Sequence, residues 1–233
     1  MNAGEFNLYG WVLEAGRVDY GRALAWQHKL LKMRREGMAR DTIILLEHPP
    51  VITIGKDGHE KNFRGSKLKP IKVERGGDVT YHGPGQLVVY LIFNLTRRGK
   101  DLHHFMSNVQ QGIIDTFAEY GLAARKDEQY TGVWIEDRKI ASIGVAVKHW
   151  ITFHGAAINL NTNLSDFEQI NPCGLNSNVM TTAADLLGKR VDRKRFGRIL
   201  LDKYGEIFRT TFTPLSLEDL DEELESQAGG YTV

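Results

Sequence analysis

The chain has 233 residues, 42% of them hydrophobic, with 30 basic and 29 acidic side chains and a formal net charge of +1. That length and composition fit one globular domain with a sizeable core, and the near balance of charge argues against general nucleic-acid binding. No run approaches the ~18 apolar residues of a membrane span and no basic-then-apolar leader opens the sequence, so a cytoplasmic protein away from membranes is expected.

Residues 1–6 are polar, read as disordered or of cloning origin, and carry no functional weight. Apolar alternation from Leu8 to Leu13 predicts a first strand. Asp19 caps a helix to about Glu36, with Ala23, Leu24, Leu30 and Leu31 on one face, and Gly37 stops it. Thr42 to Leu46 reads as a buried strand, His48-Pro49-Pro50 breaks the pattern, and Val51 to Ile54 resumes it. Gly55 to Pro70 reads as an exposed loop, Ile71 to Glu74 as a short strand, Arg75 to Gln86 as a glycine-rich turn region, and Leu87 to Leu95 as an apolar strand. Leu102, Phe105, Met106, Val109, Ile113 and Phe117 recur at helical spacing, with Gly121 as the C-cap. Strands follow at Gly132 to Ile135, Lys139 to Val147 and Ile151 to Leu160. A loop holds Asn171-Pro172-Cys173-Gly174. A short helix near Thr182 to Leu187 and a longer one from about Asp192 to Arg209 come next. The acidic run from Glu218 to Glu225 opens a tail over 218–233. Strands in the middle with helices between and after them predict a mixed sheet with helices packed on it, not a regular βαβ series.

Three segments could carry chemistry. The first is RGGDVTYHGPGQ, Arg75 to Gln86, whose glycines let a ligand approach the backbone and whose Pro84 stiffens the turn. It supplies a cation, a phenol and an imidazole, and it is neither a phosphate loop nor a dinucleotide fingerprint. The second runs from Lys139 to Asn161. Its small residues Ala141, Ser142, Gly144, Gly155, Ala156 and Ala157 leave room either for a slender ligand such as an alkyl chain or for a close-packed helix. The third is Pro172-Cys173-Gly174, which holds the only cysteine of the chain. One cysteine rules out an internal disulfide and fits a reducing compartment. As a nucleophile it would need an activator, because a free thiol near pKa ~8.5 is mostly protonated at neutral pH. Lys139, His82 and His154 are the candidates. Neighbouring backbone amides could form an oxyanion hole. His103 and His104 point to different sides of a helix and no cysteine pair exists, so no metal site is expected.

Taken in order, these segments resemble the lipoyl(octanoyl) transferase family. That family carries an RGG-x-x-T-[YW]-H-G-P-G-Q block, an RK-[IV]-x-x-I-G-V block, an F-H-G-x-A-x-N block and a P-C-G block. Here they read RGGDVTYHGPGQ, RKIASIGVAV, FHGAAINLN and PCGL, and Glu47 to Pro50 followed by ITIGK is similar to the family's early strand pair. The resemblance spans roughly Leu8 to Phe208. It implies a biotin/lipoate protein ligase-like α/β (mixed α+β) fold, with a large curved mixed sheet, a smaller sheet and flanking helices. It implies Cys173 as nucleophile and Lys139 as its activating partner. Arg75, Gly76, Gly77, Asp78, Val79, Thr80, Tyr81 and His82 would line the acyl and pantetheine site with Ser142, Ile143, Gly144, Gly155, Ala156 and Ala157.

The implied reaction moves an octanoyl group from octanoyl-acyl carrier protein to a lysine of lipoyl domains, those of 2-oxoacid dehydrogenase E2 subunits and of the glycine cleavage H protein. No cofactor is implied beyond the phosphopantetheine of the carrier, and a monomer is expected. The alternatives are an ATP-dependent lipoate or biotin ligase of the same fold, a cysteine hydrolase with His82 or His154 as base, and a lipoyl-domain-binding module. Three departures from the family pattern bear on acyl length more than on reaction class. Leu91 stands where proline usually follows Tyr90, and Met180-Thr181-Thr182 replaces a Val-Thr-Ser triplet. Ala156 stands in place of an aromatic, which is expected to enlarge the pocket.

Overall fold

The computed structural model describes residues 8–59, 62–63, 68–171, 177–218 and 220. Its eleven strands are β1 (Leu8–Arg17), β2 (Asp41–Glu47), β3 (Val51–Ile54), β4 (Ile71–Lys72), β5 (Val79–His82), β6 (Gln86–Ile92), β7 (Ala124–Lys126), β8 (Val133–Ile135), β9 (Arg138–Lys148), β10 (Ile151–Asn159) and β11 (Thr210–Pro214). The helices are α1 (Tyr20–Arg35), α2 (Leu102–Ala118), α3 (Ala183–Leu187) and α4 (Arg193–Phe208). Eight strands form one sheet in the order β11-β1-β2-β6-β10-β9-β8-β7, and β4-β3-β5 form a second, smaller one. β1 pairs in parallel with β2 and β11, while the remaining pairs of the large sheet are antiparallel, so the sheet is mixed.

The helices start where short polar side chains satisfy free backbone N–H groups. Asp19 accepts from Gly21 and Arg22, Asp101 from His104, Thr182 from Asp185, and Asp192 from Lys194 and Arg195. One face of the large sheet is covered by α2 and α4, whose Phe105, Val109, Ile113, Phe117, Phe196 and Leu200 pack on Val89, Leu91, Ile143, Ala156 and Ile158. The opposite face receives α1, with Trp26 and Leu30 against Ile44, Val88, Tyr90, Phe153 and Ala157. Burying such side chains contributes roughly 1.5–3 kcal/mol each. The small sheet has its own cluster of Ile52, Ile54, Val79, Tyr81 and Phe167.

Several elements depart from the sequence reading. Val79–His82 is a strand inside the segment read as a turn, and β4 is only Ile71–Lys72. The edge strands β7 and β11 are additional. β1 continues to Arg17 past a register shift between Glu14 and Gly16. Of the acidic tail, Glu218 and Leu220 lie among the described residues, and Leu220 is buried in the cluster beneath α1. No described helix is long and apolar enough to cross a membrane.

Candidate active site

The floor of the site is set by the register of two long strands. β9 and β10 pair Gly155 with Gly144 and Ala157 with Ser142. Side chains alternate across a strand, so these four positions share the face that α1 covers. A two-by-two patch of hydrogens, methyl and hydroxymethyl groups leaves a shallow trough there. Ile143 and Ala156 alternate to the other side and belong to the core under α2 and α4. Ala156 nevertheless also lines the cleft, so the exchange of an aromatic for alanine there bears on the cleft as well as on the packing behind it.

The segment Glu74 to Asp78 crosses this floor as a strap. Gly76 N–H donates to Val145 O at 3.0 Å, and Lys56 N–H donates to Arg75 O at 2.9 Å. Gly144 makes the close approach possible: a Cβ there would lie 2.9 Å from Gly76 O and 3.1 Å from Arg75 Cδ. The Arg75 side chain is buried and donates through Nη2 to Thr53 O at 3.0 Å and Thr53 Oγ1 at 2.9 Å, tying the strap to the small sheet. Asp78 accepts from the N–H groups of Val79 and His59, so its carboxylate organises the loop beside the cleft.

The strap and the floor enclose a narrow cleft that is open on one side. Every residue that the resemblance assigned to ligand binding lines it, with one exception. The exception is Tyr81. Alternation along β5 turns its ring onto Phe167, and its hydroxyl donates to Asp166 Oδ2 at 2.7 Å. Tyr81 thus packs the small sheet and not the cleft.

Lys139 also lines the cleft and is 2% exposed. Its Nζ lies 5.8 Å from the centroid of the Trp134 ring, a favourable cation–π arrangement. Gly132 packs so closely that a Cβ there would lie 2.5 Å from Lys139 Cε. Cys173, Pro172 and Gly174 lie outside the described residues. The chain on either side of them is anchored: Asn171 N–H donates to Asn62 O, Met180 bridges Lys139, and Thr181 N–H donates to Lys139 O.

Most of one wall was not foreseen in the sequence. Tyr20, Val88 and Tyr90 join the cleft beside His82 and His154, the latter already a candidate from the sequence, and His48 backs them. Tyr90 is the lone hydroxyl in the aliphatic run of β6, and a buried hydroxyl needs a partner. It finds one in His48 Nε2 at 2.7 Å, while His48 Nδ1 donates to Val18 O at 2.7 Å. That lone hydroxyl was the available signal. His154 takes a left-handed backbone conformation, φ 59°, which brings its ring beside Phe153 and Tyr90. Glu74 Oε2 lies 3.7 Å from its Nε2.

Burial, aided by the nearby Arg75 charge, pushes His154 down to about 4. Burial, with the rings and charges of His48 and Arg75, pushes His82 down to about 3. Both rings are therefore neutral at neutral pH, and this has a measurable consequence. Between about pH 6.5 and these lowered values the unfolded chain binds more protons than the folded one, so stability is fully present above about 6.5 and falls as the solution is acidified through that window. The slope is about 1.4 kcal/mol per pH unit for each ring. Urea midpoints should fall clearly between about pH 7 and about pH 5; equal midpoints would mean that the folded rings protonate normally.

With Lys139 and Arg75 as cations, a floor without bulk and a wall of neutral rings, the cleft suits a slender apolar chain ending in an electron-rich carbonyl. Residues 19–205 match the family described as "Lipoyl protein ligase A/B catalytic domain". The chain is 45% identical over 214 residues to the octanoyltransferase of Caldicellulosiruptor saccharolyticus, covering 88% of this chain and 91% of that protein. Its fold resembles the crystal structure of lipoate-protein ligase A bound with ATP, with a TM-score of 0.76, 14% identity and coverage of 94% of this chain and 95% of that one. It also resembles biotin protein ligase from Aquifex aeolicus, with a TM-score of 0.52, 13% identity and coverage of 95% and 75%. At these identities the two structures bear on the fold alone.

Proposed function

Because the chain belongs to the lipoyl protein ligase A/B catalytic-domain family, and within it to the octanoyltransferases, we propose that it carries an octanoyl group from octanoyl-acyl carrier protein, through a thioester on Cys173, to a lysine of a lipoyl domain. The enzyme is an acyltransferase. The supporting observation is the cleft itself: segments far apart in sequence bring Lys139, the Arg75 strap and a floor of small residues to one place.

In this reading the Cys173 thiolate attacks the thioester carbonyl and backbone amides stabilise the tetrahedral oxyanion. The C–S bond to the pantetheine arm breaks, and the departing sulfur takes a proton. The lysine amine of the acceptor then attacks the acyl-enzyme, the C–S bond to Cys173 breaks, and the amine loses a proton as the amide forms. Exchange between thioesters is nearly balanced, and amide formation draws the sequence forward. The Lys139 ammonium favours thiolate by charge attraction, gives a proton to the leaving thiol and receives one from the attacking amine. Met180, which follows Cys173 in the same stretch of sequence, bridges Lys139, and this supports pairing the two. E2 lipoyl domains and the glycine cleavage H protein are the proposed acceptors, and a monomer in the cytoplasm is the proposed setting.

The hydrolase alternative asks His82 or His154 to act as a base, and the lowered proton affinity of both rings disfavours it. The ligase alternative differs in its energy source. Transfer from octanoyl-acyl carrier protein to a lipoyl domain is expected to run at full rate without ATP, and octanoate with ATP is expected to give no product. An absolute requirement for ATP would transfer the chain to the ligase reading.

A further inference from the structure

His82 is held by a chain of hydrogen bonds whose directions follow from the one group in it that can only accept, the Tyr81 carbonyl. The carbonyl of Tyr81 can only accept, so the amide nitrogen of Gln86 must face it, at 3.3 Å. The same nitrogen donates to Asn159 Oδ1 at 3.0 Å. The Gln86 oxygen is thereby turned to His82 Nδ1, 2.9 Å away. An oxygen cannot donate, so Nδ1 carries the proton. In a neutral imidazole the other nitrogen is then bare.

The ring is fixed in other directions too. Tyr20 stacks on it at a centroid distance of 6.1 Å and an interplanar angle of 18°, and His48 meets it edge-on at 5.8 Å. Gln86 is 1% exposed and does not itself line the cleft. Anything it does for a bound molecule must pass through His82.

We propose that Gln86 is a positioning residue that locks His82 in the Nδ1-protonated form, so that His82 presents its Nε2 lone pair to bound substrate as a hydrogen-bond acceptor. The group it accepts from is an N–H: an amide of the pantetheine arm, or the attacking amine. The lock itself stands on the hydrogen bonds alone, whereas the assignment of the N–H rests on the transferase reading above. Burial and the neighbouring Arg75 charge keep the ring from taking a second proton, so its part is to orient and not to remove a proton.

The test uses the 233-residue chain labelled with ¹⁵N-histidine, with His82→Gln identifying the signals of His82. In the unsubstituted chain His82 should show a protonated Nδ1 and a bare Nε2, unchanged from about pH 8 to about pH 5. Gln86→Met is close in shape and lacks the acceptor; it should mix the two tautomers and lower transfer about tenfold, in kcat more than in KM. Gln86→Glu keeps an acceptor, with Asn159 turned to donate. It should restore the tautomer but, with an oxygen now facing the Tyr81 carbonyl, only part of the rate, and its carboxylate should raise the proton affinity of His82 enough to give the rate a new acid limb.

Single-turnover rates separate the two N–H sources. Loss in acylation by octanoyl-acyl carrier protein marks the pantetheine amide, and loss in discharge to the lipoyl domain marks the amine. A His82 protonated at Nε2 in the unsubstituted chain overturns the proposal. So does a Gln86→Met chain whose tautomer is unchanged, or one whose tautomer changes while both half-reactions keep their rates. If the chain fails to transfer octanoyl at all, the spectra still decide the lock, and the transferase reading fails separately.

Discussion

Cys173→Ser is expected to abolish octanoyl transfer, by about a thousandfold or more, while leaving the fold intact. Cys173 is the only thiol in the chain, so no other cysteine can take over a thioester. A serine hydroxyl has nearly the same shape but gives up its proton far less readily than a thiol. An ammonium at Lys139 can shift a thiol into the thiolate at neutral pH; it cannot do the same for an alcohol, which needs an adjacent general base. The two imidazoles that line the cleft are poor bases, since burial lowers the proton affinity of both. Transfer assays with octanoyl-acyl carrier protein measure the loss, and circular dichroism checks the fold. Full transfer by the serine variant would remove the covalent mechanism.

Lys139→Ala should be the next most damaging change, lowering transfer about a hundredfold or more. The side chain is buried and held between Gly132 and the Trp134 ring, so its ammonium is confined to one region of the cleft. Removing it takes away the charge that favours the thiolate. Alkylation of Cys173 near neutral pH should slow about tenfold, and its pH profile should move toward that of a free thiol. Lys139→Met fills more of the space and separates loss of charge from loss of packing; it should behave like the alanine variant. An unchanged alkylation profile in both would leave Lys139 without its electrostatic role.

How much of this was legible in the sequence depended on whether a signal was local. Asp19 and Asp192 mark helix starts because a capping carboxylate acts within its own turn, and both helices lie where those residues place them. β5 was hidden because the glycines around Val79–His82 dominate the composition of the block, although valine, threonine and tyrosine are all strand formers. β7 and β11 are short edge strands of 3 and 5 residues, and short runs carry little periodicity. Inside the site, the smallness of Ser142, Gly144, Gly155 and Ala157 could be read directly. That they share one face of the sheet depends on the β9–β10 register, which a sequence does not state. The ring of Tyr81 lies against Phe167 and not along the cleft for the same reason, since alternation along a strand sends every second side chain to the other face. Tyr20 and Tyr90 were missed because they reach the cleft from a helix start and a central strand, outside the segments whose chemistry was conspicuous.

The central claim is that the acyl group travels on Cys173 without nucleotide, and intact-mass spectrometry tests it most directly. Mixed with octanoyl-acyl carrier protein alone, the chain should gain the mass of one octanoyl group, located on Cys173 by peptide mapping. Adding a lipoyl domain should discharge that species much faster than water does, with the mass reappearing as an amide on the domain. A thioester donor already stores the activation that a free acid would draw from ATP, so neither step should respond to nucleotide. A chain that is never labelled, or whose label is lost equally fast with and without the lipoyl domain, would contradict the account.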